Sequence, residues 1–197
     1  RHGVVLGAGF IGLEAAEALA RQGLDVTVVE LAEHVLRPLE TETAHYVTAE
    51  LRRLGVTVRA GIGATRIEHN QARDTVVLTD GTRLPADVVV ASLGVRPDTE
   101  VFETAGISCE RGAIVVDEHG RTSIPDVWAV GDAVVSIDAV TGARRPVALA
   151  GPANRAGRQV ADDIIRPTGA RAIPAAVGTA IVRVGELTAA ITGANRK

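Results

Sequence analysis

The sequence predicts an α/β protein built on a parallel sheet, and three features carry that expectation. An apolar run, Gly3-Val4-Val5-Leu6, passes directly into glycines at positions 7, 9 and 12. An amphipathic helical stretch follows at once, and a second apolar run over residues 25–30 ends in an acid. Short apolar runs that alternate with helical segments are the pattern of buried parallel strands joined by crossover helices.

Each element follows in order. The glycine spacing is G-x-G-x-x-G, which at the end of a first strand suits a dinucleotide. Gly7 permits the tight turn, Gly9 lets a pyrophosphate approach the backbone, and Gly12 lets the helix pack on the strand. The phosphates would lie at the helix N-terminus, where free N–H groups and the helix dipole favour negative charge. Residues 11–22 read as a helix with Ile11, Ala15, Ala18 and Leu19 on its apolar face, stopped by Gly23. Residues 25–30 read as a buried strand. Its terminal Glu30 lies 18 residues past Gly12, near the offset of a carboxylate that accepts from the adenosine ribose hydroxyls. An acid there repels a 2′-phosphate, so NADH is expected over NADPH.

Residues 40–54 predict a second amphipathic helix with Ala44, Val47, Leu51 and Leu54 on one side, and residues 56–58 a third strand. Short antiparallel strands follow at 64–68, 75–79 and 83–84, with an Asp80-Gly81 turn as the hairpin signal. Residues 87–92 are again a buried strand, running into Leu93-Gly94-Val95-Arg96-Pro97. Beyond Pro97, the expected elements are a strand at 113–117, a loop, and a four-residue apolar strand at 127–130 that delivers Gly131-Asp132. Acids just past strand ends in α/β sheets are where ligands bind. A Thr141-Gly142 turn joins two short strands. Residues 151–165 read as a helix with Arg155 and Arg158 exposed and Val160, Ile164 and Ile165 apolar; residues 167–174 read as a linker. Strand-like runs at 179–184 and 187–191 close the sequence.

Composition narrows the function. Net charge is −3 with no basic stripe, and Phe10, Tyr46, Phe102 and Trp128 are the aromatics, which argues against nucleic-acid binding. No apolar run approaches membrane-spanning length. Cys109 is the single cysteine, so no internal disulfide or thiolate zinc site is available, and a reducing cytoplasmic setting fits. Histidines 2, 34, 45, 69 and 119 lack metal-ligand spacing. The absence of methionine, and a start inside a strand, read as a fragment.

Taken together, the motifs resemble the flavoprotein pyridine nucleotide–disulfide oxidoreductases, specifically the coenzyme A disulfide reductase and NADH oxidase branch. Residues 7–14 look like its NADH fingerprint, 93–97 like the loop leaving its NADH domain, and 122–133 like its second FAD motif. Residues 148–158 are the most branch-specific stretch, and residues 178–197 resemble the start of its dimerisation domain. The resemblance implies a Rossmann-like NAD(P)-binding domain at 1–98, with parallel sheet and β-meander. It also implies the C-terminal half of a FAD-binding domain at 99–166 and the truncated start of an α+β dimerisation domain at 175–197.

Implied NADH contacts are Gly7, Gly9, Phe10, Ile11, Gly12, Glu30 and Gly94; implied FAD contacts are Gly131, Asp132, Leu149 and Ala150, with Asp132 on the ribityl chain. Phe10 matches either an aromatic near the nicotinamide–flavin interface or a core residue of the first turn, and Glu14 either orients the nicotinamide or faces solvent. The implied reaction is hydride transfer from NADH to FAD and on to a disulfide or O2. The alternatives are a ferredoxin or rubredoxin reductase of the same architecture, or a nucleotide-binding module without turnover. The resemblance places no catalytic residue and no metal in this chain, and implies a homodimeric parent acting on small molecules.

Overall fold

The computed structural model describes residues 1–194, which form two compact units: residues 1–94 with 181–191, and residues 95–180 with 192–194. In the first unit, β1 (His2–Leu6), α1 (Phe10–Arg21), β2 (Asp25–Glu30), α2 (Thr41–Arg53) and β3 (Thr57–Ala60) alternate. An antiparallel meander of β4 (Ala64–Glu68), β5 (Asp74–Leu78) and β6 (Arg83–Ala86) precedes β7 (Val88–Ala91). The main sheet is parallel in the order β3-β2-β1-β7.

The two central strands, β1 and β2, are buried on both faces over most of their length, which is why they read as near-continuous apolar runs, whereas the edge strands β3 and β7 are partly exposed. Successive strand side chains point to opposite faces. Val5 and Val28 pack with Leu13 and Ala16 of α1 and with Ala44, Val47 and Leu51 of α2. Val4, Leu6 and Val29 pack the other way, onto Val76, Leu78 and Ala86 of the meander. Burying one such Val or Leu side chain contributes about 1.5–3 kcal/mol.

The buried face of α1 is Gly12, Leu13 and Ala16, not the expected stripe through Ile11 and Ala18; Ile11 is 62% exposed. The cause is Gly12. A Cβ there would overlap the Gly7 carbonyl oxygen, so this position faces the strand. Ile11, one residue and about 100° earlier, is turned outward.

The hairpin of β12 (Ala180–Val184) and β13 (Leu187–Ile191) places Val182, Val184 and Ala189 in the same core as α2. Glu50 of α2 fastens it, accepting from the Glu186 amide at 2.9 Å.

The second unit contains α3 (Glu100–Thr104), the short pair β8 (Cys109–Glu110) and β9 (Ala113–Ile114), the hairpin β10 (Val135–Ile137) and β11 (Arg144–Pro146), and α4 (Ala150–Ile165). Asp138 caps the β10–β11 turn: its Oδ1 accepts from the Val140 and Thr141 amides at 3.0 Å, and its Oδ2 from Arg145 at 2.7 Å. The expected strand at 127–130 does not form. Trp128 makes one bridge to Arg121, and the amides of Val127 and Ala129 bond into nearby turns, so no ladder builds along this run. The expected strand at 113–117 is likewise reduced to Ala113–Ile114.

The core face of α4 is Ala156, Val160 and Asp163, while Ile164 and Ile165 are 51% and 74% exposed. Asp163, its side chain fully buried, accepts from Arg121 at 2.7 and 2.8 Å and from Trp128 Nε1 at 2.9 Å. Those bonds let a carboxylate take a core position.

Candidate functional site

The glycine loop is set between the ends of β1, β2 and β7. Gly7 donates to the Val29 carbonyl at 2.8 Å, and its backbone has φ +96°, a conformation that favours glycine. A Cβ on Gly7 would overlap the Ser92 carbonyl oxygen, so helix, loop and β7 meet here at backbone distance. A Cβ on Gly9, by contrast, meets nothing within 4 Å: the loop is open on that side. The first bond of α1 is Leu13 N–H to the Gly9 carbonyl at 3.0 Å, which leaves the amides of Phe10, Ile11 and Gly12 without intrahelical acceptors. Open space before a glycine, next to free amides at a helix start, suits an anionic group.

Glu30 closes one side. Its Oε2 accepts from the Ala8 amide at 2.6 Å and its Oε1 from the Ala32 amide at 2.8 Å. Each oxygen keeps a further lone pair for a ligand hydroxyl. The next segment also folds back on the loop, with Leu36 donating to the Ala8 carbonyl at 2.8 Å. Gly94 is exposed beyond the end of β7. Phe10 is half-buried and packs against the core, in keeping with a core residue of the first turn, while Glu14 is exposed.

Sequence reasoning missed Ser92. Its Oγ lies 2.8 Å from the Leu6 carbonyl oxygen and 2.9 Å from that of Gly7, and its own amide donates to Leu6 at 2.8 Å. The serine thus pins the turn from β1 into the loop. A serine at a strand end is the only signal the sequence offers for it.

The flavin candidates lie in the second unit. Gly131, Leu149 and Ala150 line one cavity of about 720 Å³, with Ala153 and Ala156 of α4 on one wall and residues 173–179 on another. The first bond of α4 runs from Ala153 to the Leu149 carbonyl, so the amides of Ala150 and Gly151 are free of intrahelical acceptors. Asp132 is exposed and does not line this cavity. Arg155 lines it; Arg158 is engaged with Asn154. Burial pushes the Cys109 thiol above its ordinary range, with Glu103 adding to the effect, so Cys109 is a poor nucleophile. Among the described residues no cluster of His, Cys, Asp or Glu could hold a metal ion, and no helix is long and apolar enough to cross a membrane.

A parallel sheet, an open glycine loop and a braced acid at the end of β2 define a dinucleotide-binding α/β protein. The chain belongs to the pyridine nucleotide-disulphide oxidoreductase family, whose profile matches residues 1–146. It is 37% identical over 190 residues to an NADH oxidase of Methanocaldococcus jannaschii, covering 96% of this chain and 42% of that protein. It is 41% identical over 130 residues to the ferredoxin–NAD(+) reductase component of a biphenyl dioxygenase system from Paraburkholderia xenovorans, covering 66% of this chain and 32% of the relative. An NAD-dependent persulfide reductase from A. fulgidus superposes with a TM-score of 0.94 at 37% identity, over 100% of this chain and 36% of that one. The chain therefore spans well under half the length of these relatives.

Proposed function

We propose that the chain is the NADH-binding part, with half of a FAD site, of a FAD-dependent NADH oxidoreductase in the coenzyme A disulfide reductase and NADH oxidase branch. The observation that carries the reading is the open face of Gly9 beside the free amides of α1, with the Glu30 carboxylate fixed by Ala8 and Ala32. Residues 1–98 are read as the NADH domain, 99–166 as the flavin half-site, and 175–194 as the start of a dimerisation domain, with residues 195–197 outside the described range.

The residues fit the dinucleotide. The amides of Phe10, Ile11 and Gly12 would hold the pyrophosphate, and Glu30 would accept from the ribose hydroxyls and disfavour a 2′-phosphate. Gly131, Leu149 and Ala150 would contribute to the flavin site, and Asp132 would hold the ribityl chain. When bound, NADH supplies a hydride and FAD accepts it; the chain's own part is to bind and orient. A disulfide or O2 as final acceptor is supported by the oxidase and persulfide reductase relatives. A ferredoxin reductase of the same architecture is the second reading, favoured by the 41% identity to the dioxygenase component.

Titration of the isolated chain with NADH, followed by nicotinamide fluorescence, tests the reading. Saturable binding that is lost in Gly12→Val, with little or no FAD retained and no NADH consumed, is the expected result. Stoichiometric tight FAD, or no NADH binding, would overturn it.

A further inference from the structure

His119, in the second unit, is an ionisable group that neither cofactor site uses. The turn at residues 117–121 fixes its backbone. Asp117 Oδ1 accepts from the His119 and Arg121 amides at 2.8 and 2.9 Å, and the Gly120 amide donates to the Asp117 carbonyl at 3.1 Å. Gly120 has φ +78°, and a Cβ there would overlap a methyl group of Val160, so the turn lies against α4 at backbone distance. The imidazole is 23% exposed. Its Nδ1 is buried without a hydrogen-bond partner and lies 3.8 Å from Oδ1 of the fully buried Asp163. Its Nε2 lies 3.8 Å from Glu118 Oε1. One turn earlier on the same face of α4, Gln159 Oε1 is a second buried atom without a partner.

A neutral ring suits this place poorly. If Nδ1 carries the proton, a buried donor goes unpaired; if it does not, its lone pair faces a carboxylate oxygen. A charged ring presents an N–H toward each acid. The ionisable groups around it are Asp163 on α4 and Asp117, Glu118 and Arg121 in its own turn. Residues 172–173, which meet the turn through the Ile173 amide and the Glu118 carbonyl at 2.7 Å, add none. Three of the four are acids, and Arg121 is already bound to both Asp163 oxygens. Arg121, then Trp128, hold the Asp163 carboxyl below its ordinary range, so it is ionised when histidine titrates. Histidine is the side chain whose charge changes between about pH 5 and 8. We propose that His119 is a pH-operated latch between the 117–121 turn and α4. The charged ring pairs with Asp163 and closes the latch; loss of the proton releases it. Asp117, Glu118 and Ile173 line the 720 Å³ cavity, as do Ala153 and Ala156 of α4, so the latch joins two of its walls. It does so whether or not the cavity holds a flavin.

NMR of the full chain tests this, with the His119 ring and the Asp163 Cγ carbon followed from about pH 5 to about pH 8. The Asp163 carbon should move with the ring's own titration, and in His119→Gln it should stay fixed over the same range. The ring is partly exposed and its Nδ1 has no bond to lose, so this variant should fold. Exchange of the Gly120, Arg121 and Ile173 amides, corrected for the intrinsic effect of pH, should be about fivefold slower at the acid end, the scale of one partly exposed ion pair. That difference should vanish in His119→Gln and be absent from β1 and β2 in both proteins. Trp128 emission should stay constant across this range, because the indole bonds Oδ2, the other oxygen of Asp163. An Asp163 carbon that does not follow the ring, or an exchange difference that is absent from the parent or persists in His119→Gln, would overturn the proposal.

Discussion

The Ala8 amide donates to the Glu30 carboxylate across 2.6 Å, tying the glycine loop to the end of β2 before any ligand is considered. With the Ala32 amide on its other oxygen, Glu30 is a brace as well as a candidate ribose acceptor. Glu30→Gln turns an amide NH2 toward one of these two donors. It should therefore weaken NADH binding about tenfold, the effect of losing one charge-assisted bond. Glu30→Ala should cost more. In both, the ratio of NADH to NADPH affinity should fall, because the charge that opposes a 2′-phosphate is gone. Fluorescence titrations with the two dinucleotides measure this. A weakened but unchanged ratio would leave the brace and remove the ribose role.

Ser92 holds the opposite side of the loop. Ser92→Ala removes the hydroxyl near the Leu6 and Gly7 carbonyls and should cost about 1 kcal/mol of stability, the usual net worth of one such bond. Removing that oxygen relieves only its 2.6 Å overlap with a Cβ on Gly12 and leaves the 2.0 Å overlap with the Gly7 carbonyl, so Gly12→Ala should stay strongly destabilising in the double variant, its cost lowered only by the share that Ser92 contributes. Chemical denaturation of the single and double variants checks this. Strict additivity of the two effects would show that Ser92 does not set the spacing between loop and helix.

Much of the first unit was legible because its strands and helices report their own burial. The runs at 25–30 and 64–68 form strands over those same residues, and Ala44, Val47 and Leu51 are buried as their spacing implies. Position rather than period decided the failures. Ile11 is turned outward because Gly12 must face Gly7, a constraint set by backbone approach and invisible to hydropathy. Asp163 occupies a core position of α4 because its partners lie 42 and 35 residues earlier in the chain, beyond the reach of any local pattern. The same holds for Ser92, whose acceptors are 86 and 85 residues away. The glycines and Glu30 were readable because one loop and one strand end carry them.

The terminal hairpin should respond to acid through Glu50. Its carboxylate accepts from Arg53 at 2.7 and 2.8 Å and from the Glu186 amide, and these bonds, Arg53 first, bring its pKa from 4.5 to about 2. A pKa lower in the folded state means that the stabilisation is present above the ordinary carboxylate range and is lost as pH falls from about 4.5 toward 2. Amide exchange in β12 and β13 should accelerate over that window, ahead of β1 and β2. Glu50→Gln should show fast hairpin exchange already at neutral pH. Equal protection of the hairpin at the two ends of the window would refute the anchoring role.

Asp163 gives the second unit its own reporter, since Trp128, whose indole N–H it accepts, is the only tryptophan. The Arg121 guanidinium, then Trp128, hold its carboxyl below the ordinary range. The sign is again that of a depressed acid: the stabilisation exists above the ordinary carboxylate range and disappears as pH falls through the lowered folded value. Trp128 emission should stay constant down to the carboxylate range and shift to the red below it. Asp163→Asn places an amide against the Arg121 donors and should show the shifted emission at every pH. Asp162 is exposed on the same helix, so Asp162→Asn is the control that should leave emission unchanged. Because α4 supplies Ala153 and Ala156 to the wall of the 720 Å³ cavity, loosening this staple should also weaken any flavin that the cavity holds. An Asp163→Asn variant with parental emission would mean that packing of Ala156 and Val160 alone seats the helix.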